Sequence, residues 1–86
     1  MAQYEVHKTI ALIDLEIRRK ETGSPIELAG RLCMSVRMLY FYIDMMSSLG
    51  AIIRFSTEIN SFEYEEDGFF QDGIRWMEYQ KVKVAK

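Results

Sequence analysis

Arg37, Tyr40 and Ser48 lie close together in the stretch Ser35 to Ser48 and carry the side chains best suited to chemistry in this chain. A guanidinium offers a rigid fork of donors that matches the N7 and O6 acceptors of a guanine edge, and hydroxyl groups such as those of Tyr40 and Ser48 can reach phosphate oxygens. At about 100° per residue, Val36, Leu39, Tyr42, Ile43, Met46 and Leu49 gather on one side of a helix. Arg37, Tyr40, Phe41, Asp44, Ser47 and Ser48 then face the other way, with Met38 and Met45 at the flank. That outward face holds one cation and one anion. Phosphates that Arg37 attracts would repel Asp44 unless Arg37 neutralises it.

This helix needs a partner to hold it, and the residues ahead of it supply one. Ser24 is a good N-cap, Pro25 takes the first helical position, and Glu27 completes an S-x-x-E capping box. Ile26, Leu28, Ala29 and Leu32 give the short helix an apolar set, in which Gly30 costs about 1 kcal/mol against alanine. Cys33 and Met34 link it to Ser35, a second N-cap, and Gly50 closes the longer helix at 36–49. A longer helix over 5–20 comes first, with Val6, Ile10, Ile13 and Ile17 on one stripe and the basic run Arg18, Arg19, Lys20 at its end. Leu12 and Leu15 point away from that stripe, toward either the C-terminal segment or a second subunit.

After Gly50 the period changes to that of strands. Residues 52–56 and 61–64 form a hairpin in which Ile53 and Phe55 oppose Tyr64 and Phe62. From Glu65 onward the pattern weakens. Glu65 to Gly68 and Asp72-Gly73 are turns, and Lys81 to Val84 alternates like a strand or a frayed end. Phe69, Phe70, Ile74, Trp76 and Met77 are too apolar for a free tail and are expected to cover the outer face of the first helix or a neighbouring subunit. The expected fold is mostly α with a small antiparallel β-hairpin, a winged helix-turn-helix, in one domain over 1–86 with its core at 5–64.

The pieces P-x-E-L-A at Pro25, Glu27, Leu28 and Ala29, then S-x-R-x-L-Y at Ser35, Arg37, Leu39 and Tyr40, carry a family likeness. With Ile43-Asp44 and Leu49-Gly50-Ala51-Ile52, the span from Ile10 to Tyr64 resembles the small winged helix-turn-helix domains of bacterial regulators, in particular the DNA-binding module of WYL-type transcriptional regulators. The resemblance implies that Ser35, Arg37, Tyr40 and Phe41 lie on or near a DNA-facing surface. Three positions depart from the family pattern: Phe41 replaces a basic residue, Val36 stands where arginine is common, and Cys33 stands where a glycine commonly eases the turn.

Composition bounds these expectations. The 86 residues are 49% hydrophobic and 28% charged with a net charge of −2, which suits a globular chain and gives nucleic acid no overall electrostatic pull. Between Thr57 and Gly73 there are six acidic residues and no lysine or arginine, so the wing subtracts from DNA affinity. Arg18, Arg19, Lys20 and Arg31 could touch the DNA backbone beside the groove, or simply form a solvated helix end. Two readings therefore stand. One is a DNA-binding homodimer using Ser35, Arg37, Tyr40, Phe41 and Ser48. The other is a protein-interaction or oligomerisation module presenting Tyr40, Phe41, Met38 and Met45, residue types enriched at interface cores. A lone Cys33 and a lone His7 give no disulfide and no metal spacing, and no nucleophile has a base partner or phosphate loop, so neither enzyme nor cofactor is expected. No leader and no membrane span are expected, with the cytoplasm as the default compartment.

Overall fold

A computed structural model of the chain describes residues 6–71 and 75–78. The chain runs α1 (Val6–Arg19), α2 (Pro25–Arg31), α3 (Val36–Ser48), β1 (Ile53–Ser56), β2 (Ser61–Tyr64), β3 (Gly68–Gln71) and β4 (Arg75–Glu78). Among the described residues the architecture is mixed: three helices and two antiparallel hairpins, β1–β2 and β3–β4. This corrects the expectation of a mostly helical chain with a single hairpin.

The helix boundaries follow their caps. Ser24 and Glu27 make the full reciprocal box, with the Glu27 amide donating to Ser24 Oγ at 3.2 Å and the Ser24 amide to Glu27 Oε1 at 2.8 Å. Ser35 Oγ accepts from the Met38 amide at 3.0 Å and starts α3. Both helices end in the same wrapped turn. In α2 the amides of Cys33 and Met34 bond the carbonyls of Gly30 and Ala29; in α3 those of Gly50 and Ala51 bond Ser47 and Met46. The turn demands a left-handed residue, which is Cys33 at φ 59° in one and Gly50 at φ 121° in the other.

Ile10, Ile13, Ile17, Leu28, Ala29, Leu39, Tyr42, Ile43, Met46 and Phe62 form the core cluster. The helix stripes expected from spacing are there, with two exceptions. Val6 is exposed at the end of α1, and Ile26 is 74% exposed because two residues of helix carry it about 200° around from buried Leu28. The first hairpin has the expected register, Ile53 opposite Tyr64 and Phe55 opposite Phe62.

The second hairpin replaces what the sequence suggested was a covering segment between turns. It pairs Phe69 with Met77 and Phe70 with Trp76. Trp76 is buried, its ring 4.6 Å from that of Tyr64 and 4.9 Å from that of Phe70, and its amide donates to Leu49 O at 3.4 Å. The hairpin thus joins the end of α3 and the first hairpin. The described part of the segment does not cover Leu12 and Leu15, which stay 54% and 47% exposed. Gly68 is required at the strand start, since a Cβ there would collide with Met77 O and the Trp76 ring. The Asp72-Gly73 turn, Ile74 and the Lys81 to Val84 run lie outside the described residues.

Candidate functional site on the outer face of α3

Three polar seams tie α1, α2 and the hairpins together, and they engage several of the charged side chains. At the first, the Thr22 amide donates to Ser61 Oγ at 3.0 Å and the Phe62 amide to Thr22 Oγ1 at 2.9 Å, with both side chains fully buried. This clasp ties the loop ahead of α2 to β2. At the second, Tyr64 donates its hydroxyl hydrogen to Asp14 Oδ1 at 2.6 Å, and Asp14 pairs with Arg18 at 3.0 Å. Arg18 lies over the Tyr64 ring and donates to Gly68 O at 2.6 Å, so one arginine spans α1, β2 and β3. Burial pushes the Tyr64 phenol well above its ordinary pKa, and the Asp14 carboxylate adds to the shift by accepting its hydrogen bond and repelling a phenolate; Arg18 acts in the opposite direction.

At the third, Arg31 pairs with Glu16 at 2.7 Å and fastens α2 to α1. In the first hairpin Arg54 pairs with Glu63 at 2.9 Å and Glu65 at 3.5 Å. Of the cations considered for backbone contact from the sequence, Arg18 and Arg31 are therefore each engaged by a carboxylate, while Arg19 and Lys20 have no ion-pair partner among the described residues; Arg54, in the hairpin, is neutralised. Arg37 has no ion-pair partner among the described residues. Asp44 does not supply one, although both sit on the outer face of α3.

Ser35, Arg37, Tyr40, Phe41 and Ser48 are all exposed, but they do not make one uniform patch. Tyr40 leans toward the first hairpin, its ring edge-on to Phe62 at 6.1 Å. Phe41, about 100° further round, is 55% exposed with its ring edge-on to buried Tyr42 at 5.6 Å. Ser48 sits in the last turn of α3 and gives its hydroxyl hydrogen to Met45 O at 2.8 Å. Met38 and Met45 are half-buried and pack on the core.

What comes together is at the start of α3. Ser35, Arg37, Met38 and Phe41 line an open hollow of about 310 Å³ with mainly apolar walls. A smaller hollow of about 130 Å³ lies against Arg18, Lys20, Tyr64 and Asp67. Exposed Ile26, at the first turn of α2, is a further surface residue that sequence reasoning assigned to the interior; its spacing from Leu28 was the signal for exposure. The Tyr64 partner of Asp14 and the partners of Thr22 and Arg31 across elements are distant in sequence and carried no signal.

Among the described residues no group of three His, Cys, Asp or Glu side chains comes together to hold a metal ion, and no helix is long and apolar enough to cross a membrane. Compared with known proteins, the chain matches no family model, no curated protein and no solved structure.

Proposed function

We propose that this chain is a winged helix-turn-helix protein that binds duplex DNA as a homodimer and acts as a transcriptional regulator. In this reading α2 and α3 are the helix-turn-helix, β1–β2 is the wing, and the N-terminal half of α3 enters the major groove. The observation that carries it is the position of Arg37, exposed on the outer face of α3 with no ion-pair partner among the described residues, a freedom that Arg19, Lys20 and Arg75 share away from that helix. The arginines at 18, 31 and 54 are each tied to a carboxylate, while the one on the outer face of α3 is free among the described residues. Arg37 reads a guanine edge; Ser35 and Tyr40 contact phosphate or sugar beside it. Ser48 is a weaker contributor, because its hydroxyl hydrogen is already used within the helix. The acidic wing adds little attraction, so two half-sites bound by a dimer supply the affinity that one subunit lacks.

The test is a titration of random-sequence duplex at low salt, for the parent chain and for Arg37→Ala. Binding that weakens by tenfold or more in the variant supports the reading, since a bidentate arginine contact is worth about 1–3 kcal/mol. No binding, or binding indifferent to the substitution, overturns it.

A second reading has its own support in the apolar walls of the hollow at Met38 and Phe41. There the same face is a protein-interaction or oligomerisation surface. It requires Phe41→Ser to abolish self-association or partner capture with the fold intact; gel filtration that gives a monomer for both proteins, with no partner recovered, rules it out.

A further inference from the structure

We infer that the hollow at the start of α3 receives the 5-methyl group of a thymine lying within two base pairs of the guanine that Arg37 grips. This rests on the DNA-binding reading above and names the sequence that the site would prefer. The hollow is open to solvent, its walls are mainly apolar, and Met38 and Phe41 are the apolar residues that line it. The polar residues of its lining are Arg37 and Ser35, and the Ser35 hydroxyl oxygen already accepts the Met38 amide. A purine edge or a cytosine amino group would find few partners inside it. In the major groove only thymine presents an apolar group, so it is the one base edge such walls favour.

Geometry limits where that thymine lies. Arg37 and Phe41 are one turn apart, about 6 Å along the helix axis, and successive base pairs rise about 3.4 Å. The two side chains therefore meet neighbouring or next-neighbouring pairs. The Phe41 ring is also held ready, edge-on to Tyr42, whose own side chain is buried. Arg37 in the lining, exposed and without an ion-pair partner among the described residues, matches the anionic duplex and favours it over an apolar peptide as occupant.

The experiment selects duplexes from a random pool with the full chain at low salt. Each thymine of the selected site is then replaced in turn by deoxyuridine, which lacks only the methyl group. One replacement close to a guanine is expected to weaken binding about threefold to fivefold, the worth of one buried methyl group. That loss should disappear in Phe41→Ala and persist in the apolar variant Phe41→Leu, with helix content by circular dichroism confirming that both fold. Selected duplexes indifferent to every thymine replacement, or a loss unchanged in Phe41→Ala, overturn the inference and leave the DNA-binding reading standing. A pool that yields no bound duplex overturns both.

Discussion

On the outer side of α3, Arg37 and Asp44 end in solvent with no ion-pair partner among the described residues, and Phe41 leaves more than half its surface exposed. At the seam between α1 and the two hairpins the opposite holds. Asp14, Arg18 and Tyr64 bond one another, Arg18 reaches on to Gly68, and Trp76 stacks against Tyr64. Buried polar groups must be satisfied or they cost stability, and every buried side-chain nitrogen and oxygen among the described residues has a partner. An exposed group carries no such penalty. The contacts that hold the fold together thus lie apart from the candidate site on α3, so the two can be perturbed separately.

The sharpest way to break that division is to truncate one aromatic on each side. Trp76→Ala should cost about 3–5 kcal/mol in denaturant unfolding, as large core truncations do, whereas Phe41→Ser should stay within about 0.5 kcal/mol. Equal losses would mean that the outer face also supports the fold. Next in size is a pH effect confined to the seam. The phenol of Tyr64 is held protonated in the folded chain, so its contribution is complete below pH of about 10 and is lost as pH climbs toward the raised folded value. Stability should therefore fall above that pH in the parent and fall less steeply in Tyr64→Phe; parallel profiles would remove Tyr64 from the account.

The turn between α2 and α3 sharpens the comparison at about 1 kcal/mol. Cys33 is exposed in a left-handed conformation that costs a side-chain-bearing residue about 1–2 kcal/mol. Cys33→Gly should raise the unfolding midpoint, offset in part by the freedom glycine gains in the unfolded chain; a lower midpoint would show that the thiol packs to some purpose. The smallest effect belongs to the face again. Asp44→Asn removes a charge that phosphates repel, and duplex binding at low salt should tighten severalfold with stability unchanged. Weaker binding after that change would assign Asp44 a direct contact.

Legibility in the sequence followed the range of the interaction. Ser24, Glu27, Ser35 and Gly50 announce helix ends because caps act over three or four residues, and the register Ile53–Tyr64, Phe55–Phe62 follows from alternation across a short turn. The β3–β4 hairpin stayed hidden because Phe69-Phe70 and Trp76-Met77 put adjacent apolar residues on opposite faces, which erases the period-two pattern. At the candidate site, the exposure of Arg37 and Phe41 was readable from helical spacing. What could not be read was that Arg18, Arg31 and Arg54 would be claimed elsewhere, since two of those claims bridge α1 to residues far along the chain. The separation of Tyr40 from Phe41 by the lean toward Phe62 likewise depends on a contact between α3 and β2.

The reciprocal bonds between Thr22 and the Ser61–Phe62 segment join points that are 39 and 40 residues apart. They act as a rivet through the middle of the molecule: the β1–β2 arm cannot swing without pulling the start of α2 with it. Whatever α3 and that arm meet, they meet as one preformed template, and little ordering entropy is spent on arrival. The amides of Thr22 and Phe62 should accordingly exchange with solvent together and among the slowest in the chain, a shared signature of a joint that opens only when the whole domain does.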